Sequence, residues 1–337
     1  MRAFPVVPAA VAAIVALAAL PAVANDSSGF EGTTGIELSS TDAVGMDSED
    51  LFVSPRLIRV DYVFRNVTDH PVQSLVVFPF PDLDLSAGLT APNWAFPAEG
   101  TNFLDFKVWV DGRPVTPTLE RRAFFKGRDV TDEVKAAGAL DLAPWREGAY
   151  DRQVAALAPA AVEALRKAGL IAPGEDPDTP QWQLRTRYFW PQTFPARSEV
   201  RISHSYRPFV GRTLIGKAEA IDGHTVVGRL VGEPPGAGDR YCLDPSTRRA
   251  LAAAERRGTL SGDVAEIEYI LLTARNWRGP IGRFHLTVDK GAPDNVVSLC
   301  WSGLRKTGPT TFESTIGNFI PSRDLDIVIF NGREKAP

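Results

Sequence analysis

Apolar and polar residues alternate in several segments of the chain, the first of which begins at residue 58, and this pattern predicts β-strands. In residues 58–64 apolar side chains occupy every second position and mostly charged side chains lie between them, as in a strand with one buried face. Residues 74–80 form a second, more apolar strand, and the turn residues between the two predict a hairpin. Residues 103–110 form a third strand, which the dipeptide Asp111-Gly112 joins to the next strand in a tight hairpin.

The spacing of apolar residues becomes helical between the two β-rich parts of the chain. Residues 132–139 predict a short helix, and Pro159 begins a longer one that ends at Gly169. The Pro, Gly and Asp residues of 173–180 indicate a linker. This part of the chain is therefore expected to be a helical insertion.

Alternation returns after the linker. Residues 182–190 and 199–206 predict two strands joined by a loop at 191–197. Asp244 followed by Pro245 is typical of a helix N-cap and first turn, and Gly258 marks the end of that helix. Five further strands are predicted at residues 267–273, 283–288, 295–301, 311–316 and 325–330.

These elements predict a mainly β fold: antiparallel β-sandwich domains with a helical insertion and one further helix. Residues 25–50 are rich in Ser, Thr, Gly and Asp and lack a sustained apolar period, so an extended segment is expected there. The predicted organisation is a signal peptide at 1–24, an extended N-terminal segment at 25–50, a first β region at 51–125, a helical insertion and linker at 126–180, and a second β region with one helix at 181–332.

The first 24 residues have the anatomy of a secretory signal. Arg2 supplies positive charge, residues 11–20 are apolar, Pro21 interrupts them, and Ala22-Val23-Ala24 is a small-residue cleavage site. The apolar run is too short to span a bilayer, although a retained membrane anchor is the alternative. We therefore expect cleavage after Ala24 and a periplasmic location, with an extracellular one also open. No later segment resembles a membrane span.

The net charge argues against a nucleic-acid partner, and the cysteine content predicts a disulfide. The net charge of −4 provides no basic surface for nucleic acid. The only cysteines, Cys242 and Cys300, predict a structural disulfide in an exported protein, and two buried free thiols are the alternative.

Motifs of common catalytic and metal sites are absent from the sequence. None of the four histidines lies three or four residues from another, and the phosphate-binding loop, the zinc-protease motif and the nucleophile elbow are missing. His204 shares the apolar face of its strand, which favours a core position. The sequence indicates no metal site and no cofactor. Separated carboxylates such as Glu268 and Asp289 remain an alternative acid and base.

Aromatic residues beside polar amides are the other candidate chemistry. We expect the loop that contains Trp190, Gln192 and Phe194 to form a shared surface with the turn at Asn276 and Trp277, because function concentrates on loops of rigid β scaffolds. The alternative is that these rings anchor the loops to the core, and it is the favoured one because buried tryptophans commonly have that role.

Several ordered motifs resemble the DUF4424 family of exported bacterial proteins. The motifs are Ser48-Glu49-Asp50-Leu51, Phe78-Pro79-Phe80-Pro81, residues 188–195, Asn276-Trp277 with Gly279-Pro280-Ile281, residues 288–291, residues 297–300, and Phe319-Ile320-Pro321 with Leu325-Asp326. The resemblance covers essentially the whole chain after residue 24. It implies a cell-envelope protein of uncharacterised role and brings no catalytic residues with it.

The leading hypothesis is a periplasmic β-rich binding or envelope-assembly module with no identifiable catalytic centre. Its partner would be an unknown envelope protein or a small ligand, engaged through edge strands or loops. One alternative is an envelope hydrolase or carbohydrate-active enzyme that uses separated carboxylates, and another is a metal-binding periplasmic protein. An enzyme is the less favoured class.

Overall fold

The computed structural model describes residues 26–32, 35–87, 102–139, 155–172, 179–208, 210–214 and 240–332. The predicted signal peptide with its cleavage site at Ala24, and parts of the helical insertion and linker, lie outside the described residues.

The described chain is mainly β. The strands are β1 Ser27–Gly32, β2 Gly35–Ser39, β3 Val44–Val53, β4 Ile58–Asn66, β5 Val72–Pro79, β6 Leu83–Asp84, β7 Lys107–Val110, β8 Arg113–Val115, β9 Thr118–Phe125, β10 Arg128–Asp129, β11 Ile171–Ala172, β12 Thr179–Pro180, β13 Gln183–Phe194, β14 Glu199–Tyr206, β15 Gly211–Leu214, β16 Leu260–Tyr269, β17 Ile281–Asp289, β18 Val296–Leu299, β19 Arg305–Lys306, β20 Thr311–Phe319 and β21 Leu325–Gly332. The α-helices are α1 Thr131–Ala136, α2 Pro159–Lys167 and α3 Pro245–Arg256, and 3₁₀ turns cover Leu85–Ala87 and Leu272–Asn276.

Most strands belong to three sheets. The first sheet has the order β10-β9-β13-β5-β1-β2, with β6 also on β13; the second has the order β19-β20-β17-β3-β4-β14-β7-β8; and the third has the order β15-β16-β21-β18. Neighbouring strands run antiparallel except for β3 and β17, which are parallel. The mainly antiparallel β prediction is thus confirmed.

One large core joins the three sheets. It contains Val76 and Phe78 from the first sheet, Val60 from the second, and Ile267 and Ile329 from the third. Val60 and Ile267 lie on the buried faces of strands that alternate, so the period of two directs those faces into this interior, whereas β5 and β21 contain consecutive buried residues. The result is a sandwich in which the second sheet is covered by both of the others.

The helices lie at the edges of this core, and their ends follow the predicted signals. α1 and α2 contribute Val134 and Leu165 to a second, smaller core beneath the helical insertion. α3 packs Leu251 against the outer face of the third sheet. Its N-cap is Asp244, whose Oδ1 accepts a hydrogen bond of 2.7 Å from the Thr247 backbone N–H.

The strands around Asn66 do not form the predicted hairpin. β4 pairs with β3 and β14 in the second sheet, whereas β5 pairs with β13 and β1 in the first. Asn66 is buried at the crossing, where its side chain donates 2.9 Å hydrogen bonds to the carbonyls of His70 and Phe194 and fixes the turn between the sheets. The period of two identified the strands correctly but could not identify their partners.

Two further segments differ from expectation. Residues 191–194 continue β13 rather than forming a loop, and β13 and β14 belong to different sheets. The predicted extended segment at 25–50 contains β1, β2 and most of β3. Its small residues permit close strand contact, because a Cβ on Gly29 would lie 2.4 Å from Val77 Cγ2 and 2.8 Å from the Glu37 carbonyl oxygen.

The two predicted β regions share sheets. β13 of the second region pairs with β5 and β9 of the first, and β14 pairs with β4. The boundaries at 125 and 181 therefore mark the helical insertion in the sequence and do not separate one sheet from another.

Candidate functional site

The predicted aromatic surface lies in the interior. Trp190 and Trp277 are 1% and 3% exposed, and Phe194 is fully buried. The two predicted segments do meet, because the rings of Phe194 and Trp277 lie 6.0 Å apart. Of the predicted set, only Gln192 and Asn276 are partly exposed. The rings therefore pack in the core, and they do not form a surface for a ligand.

Asn276 and Trp277 instead hold the beginning of β1. The Trp277 indole N–H donates a 2.7 Å hydrogen bond to the backbone carbonyl of Asp26. The Asn276 side-chain amide donates a 2.8 Å hydrogen bond to Ser27 Oγ, and its backbone carbonyl accepts one of 2.8 Å from Thr41. The 3₁₀ turn that ends at Asn276 places both side chains against the strand.

Five polar side chains meet in the interior where the three sheets join. We call them the junction cluster: Asp26, Glu49, Tyr62, His204 and Tyr269. Asp26 precedes β1 of the first sheet, Tyr269 ends β16 of the third, and the other three come from β3, β4 and β14 of the second. None of the five is more than 1% exposed.

Short contacts connect the cluster. The hydroxyl oxygens of Tyr62 and Tyr269 are 3.2 Å apart, and Tyr269 donates a longer hydrogen bond of 3.4 Å to Glu49 Oε1. His204 Nδ1 lies 3.8 Å from Asp26 Oδ1, which is beyond hydrogen-bond distance. Within the described residues, neither ring nitrogen of His204 has a hydrogen-bond partner.

Burial shifts the pKa values of four members of the cluster, all except Glu49, in the direction that favours the neutral form. Burial raises the pKa of Asp26 well above its usual value, and the nearby charge of Glu49 raises it further. Burial lowers the pKa of His204 to about 3, so this imidazole is neutral at neutral pH. Burial also raises the pKa of Tyr62 and of Tyr269 well above the ordinary tyrosine value.

The junction cluster contains proton donors and acceptors, and none of them is in contact with solvent. A substrate cannot touch side chains that are at most 1% exposed in this conformation. What these groups can do is share protons inside the fold, where a low dielectric strengthens the interactions between them.

Sequence reasoning missed the junction cluster although one signal was present. Counting back by two from Val53 through Leu51 places Glu49 on the buried face of β3. A register shift between Met46 and Ser48 interrupts the alternation just before it, so the pattern was hard to follow. Nothing local indicated that Asp26 is buried, because its environment is built by residues far along the chain.

The chain matches the family DUF4424, described as a domain of unknown function, over residues 24–328. It belongs to the DUF4424 family. No functionally curated protein matches it.

Two solved structures show remote similarity to this DUF4424 chain. A "putative nutrient binding protein" from Legionella pneumophila is 17% identical with a TM-score of 0.42, and the match covers 91% of this chain and 73% of that one. An M1 zinc metallopeptidase from Deinococcus radiodurans is 8% identical with a TM-score of 0.26, and the match covers 87% of this chain and 43% of that one. Similarity at this level assigns no function.

The DUF4424 chain contains the predicted disulfide. Cys242 and Cys300 are bonded, with Cα atoms 4.9 Å apart. The bond ties the segment before α3 to the residue that follows β18, and Ser298 Oγ donates a 2.9 Å hydrogen bond to the Tyr241 carbonyl beside it. The second cysteine prediction, free thiols, does not hold.

The carboxylates of the enzyme hypothesis have separate local roles. Glu268 lies 3.4 Å from the Arg240 guanidinium, which also contacts Asp326 at 2.5 Å. Asp289 accepts a 2.9 Å hydrogen bond from the Gly291 backbone N–H and so closes a turn. Within the described residues, no group of three or more His, Cys, Asp or Glu side chains is arranged to hold a metal ion.

The outer edge of β20 is a long strand edge that is paired on one side only in the described part of the chain. β19 pairs only with Phe312 and Glu313, so residues 314–319 pair on one side only, with β17. We call residues 314–320 the open edge. Ile320, at its end, is 60% exposed. Residues 118–122 of β9 also pair on one side only, with β13, but Glu120, Arg121 and Arg122 place charged side chains along that edge.

A membrane-spanning helix is not found in the parts of the chain that the structure describes, since no helix there is both long and apolar enough.

Proposed function

We propose that the protein is an exported, non-catalytic binding module of the cell envelope that pairs its open edge with an extended segment of a partner protein. The observation that carries this proposal is the one-sided pairing of residues 314–319. Unpaired backbone N–H and C=O groups at a sheet edge are a template for strand addition, and neighbouring pockets supply specificity.

The chemistry of the open edge favours a neutral, apolar partner strand. Residues 314–320 carry no charged side chain, and Ile316, Phe319 and Ile320 provide apolar contacts. Native proteins commonly protect exposed edges with Lys or with inward-pointing charges, and the open edge has neither. Asn318 has a φ of 50° and bends the strand, which limits the regular pairing surface to the residues before it.

Site-specific photocrosslinking in the cell envelope tests the proposal. A photoreactive amino acid is placed singly at each of positions 314–317, and a matched probe is placed at Arg249, which is exposed on α3. Strand addition predicts one partner adduct from the edge probes, stronger at alternate positions, and none from position 249. The same adduct from position 249 would overturn the proposal.

The variant Gly317→Lys is designed to block pairing of a partner strand with the open edge. The nearest atom to a Cβ at this position is the Gly282 carbonyl oxygen at 3.9 Å, so the change is sterically tolerated. A lysine at the edge is expected to abolish the adduct formed from position 315 without lowering the free energy of unfolding by more than about 0.5 kcal/mol. An adduct that persists in this variant would contradict pairing through β20. Sequencing the N-terminus of the exported protein tests the export independently.

A further inference from the structure

The backbone groups that the open edge offers to a partner belong to Thr315 and Gly317. Where β19 covers the start of β20, the Thr307 N–H donates a 3.0 Å hydrogen bond to the Thr311 carbonyl, so the backbone of Thr311 faces the outer side. Every second residue of an antiparallel strand shares this direction. Counting on by two gives residues 313, 315 and 317, and β19 reaches only the first of them. A partner strand therefore bonds to the other two.

The side of the open edge that faces the core has an accessible apolar surface. Ile316 lies opposite Phe284, and the positive φ of Asn318 interrupts the alternation, so the Phe319 ring also lies against Phe284, with centroids 4.7 Å apart. Trp301 contacts both rings, at centroid distances of 5.5 and 5.4 Å. Ile316, Phe319 and Trp301 are each only partly buried. An apolar partner side chain opposite Ile316 packs on this surface.

β19 places two cations at one end of the open edge. Arg305 lies directly opposite Glu313 of β20, and Lys306 follows it. Both side chains are exposed, and neither forms a salt bridge with a described residue. The Glu313 carboxylate instead accepts a 3.1 Å hydrogen bond from the Thr307 hydroxyl. The two positive charges are therefore available to a partner.

β19 also limits how far a partner strand can follow β20. It already occupies the position opposite Glu313, so a partner that bonds to Thr315 must leave the sheet at this end. An antiparallel partner runs in the same direction as β19, and the end that leaves the sheet is then its C-terminal end. Because strand residues advance by about 3.4 Å each, the next two or three partner residues come within reach of the Arg305 and Lys306 side chains.

We propose that the partner segment is an uncharged strand with apolar residues at alternate positions, followed on its C-terminal side by acidic residues that pair with Arg305 and Lys306. The inference rests on the proposed function and adds the chemistry of its partner. Antiparallel pairing is chosen because both described neighbours of β20 are antiparallel to it. Complementary charges at the rim of an interface fix register and direction more than they raise affinity.

A second copy of this chain does not fit the same site. In a symmetric antiparallel pair of β20 strands, the segment after β20 of the second copy would approach Arg305. That segment carries a cation, Arg323, and its next carboxylate, Asp324, already accepts hydrogen bonds from the backbone N–H groups of Leu271 and Leu272. Like charges would therefore meet at the end of the open edge, and this favours a different protein as the partner.

Binding of synthetic peptides tests the flanking charge. Three fluorescein-labelled, amidated peptides share the segment Thr-Val-Thr-Val-Thr, which is followed by Asp-Glu-Asp, preceded by Asp-Glu-Asp, or followed by Lys-Arg-Lys. By fluorescence anisotropy with the purified protein, the first is expected to bind about ten times more tightly than the others, and less selectively in about 0.5 M salt, which screens exposed charges. Equal binding of the first and third peptides would overturn the proposal. Tighter binding of the second would overturn the stated direction.

Charge reversal in the protein provides the matched variant. Arg305→Glu with Lys306→Glu is expected to reverse the preference, so that the peptide ending in Lys-Arg-Lys binds more tightly. Arg256→Glu with Arg257→Glu, exposed at the end of α3, changes the net charge equally and should keep the original preference. Ile316→Thr should weaken all three peptides by a similar factor. An unchanged preference in the Arg305 and Lys306 variant would refute pairing with these cations.

Failure of the proposed function gives a different result. If no peptide binds and no adduct forms from positions 314–317 in the cell, the open edge has no partner and both proposals fall. If all peptides bind equally and Gly317→Lys abolishes their binding, the edge accepts a strand and only the charge preference is refuted. Where an adduct forms in the cell, mass spectrometry reads the crosslinked segment. Acidic residues after its apolar positions support the proposal, and their absence overturns it.

Discussion

Trp277 donates its indole N–H to the backbone carbonyl of Asp26 across 2.7 Å, joining residues that are 251 positions apart in the chain. The bond links the turn before β17 with the start of β1 and so fixes the position of the first strand over the core. Loop aromatics that the sequence presented as a binding surface thus hold the N-terminal end of the fold in place.

Replacement of Trp277 by Phe is expected to lower the free energy of unfolding by about 1 kcal/mol more than the same change at Trp190, measured by urea titration. Both rings are buried, so the loss of volume is similar. Trp190 Nε1 has no hydrogen-bond partner within the described residues, whereas Trp277 loses its bond to Asp26. Equal losses in the two variants would show that the hydrogen bond contributes nothing.

Acid should destabilise the protein through His204. Burial lowers the pKa of this residue to about 3, below the usual value of about 6.5. Between these values the unfolded chain binds more protons than the folded chain, so stability falls as the pH falls. As the pH falls through this range, the free energy of unfolding of the wild-type chain should decrease relative to that of His204→Phe by on the order of 1.4 kcal/mol per pH unit. Titrations of both proteins from pH 4 to 7 check this, and parallel stability curves would contradict it.

The disulfide should contribute substantially to stability. Its two cysteines are 58 residues apart, and closing a loop of this length stabilises by about 4 kcal/mol on the chain-entropy model. A reductant should lower the melting temperature of the wild-type protein and leave that of Cys242→Ser/Cys300→Ser unchanged. An unchanged wild-type melting temperature after complete reduction, verified by thiol labelling, would show that the bond is not stabilising.

Lys290 should be needed for the turn after β17. Its ammonium donates a 2.6 Å hydrogen bond to the Pro293 carbonyl and a second bond to the Asn295 carbonyl, and the side chain is buried. Lys290→Met is expected to lower the free energy of unfolding by about 1–3 kcal/mol, because two carbonyls lose their donor. The exposed Lys306→Met is the control, expected to change stability by less than about 0.5 kcal/mol. A similar effect in both variants would argue against the turn role.

The sequence predicted local features well and long-range features poorly. The Asp244 cap, the Asp111-Gly112 hairpin between β7 and β8, and the buried position of His204 all follow from interactions between neighbouring residues or from periodicity, and all three are confirmed. The predicted pairing of β4 with β5 was wrong, because alternation defines the faces of a strand and not its neighbours.

The candidate site shows the same division. The DUF4424 family and the disulfide were predicted correctly from motifs and cysteine count. The sequence already favoured an anchoring role for Trp190 and Trp277, and both are buried, whereas the continuation of β13 through residues 191–194 was not predicted. The junction cluster requires the three sheets to be in place, and no short segment of the sequence encodes that meeting point.

The parallel pairing of β3 with β17 sets the order in which the fold can be completed. Ser48–Val53 lies beside Arg283–Val288, so the centre of the second sheet cannot close until β17 has been made. Until then β3 has a partner on one side only, and its buried Glu49 lacks its final surroundings. Loops of this length close slowly, because their entropy is lost before the contacts form. A chain in which β17 is not yet in place therefore leaves one edge of β3 unpaired and open to aggregation.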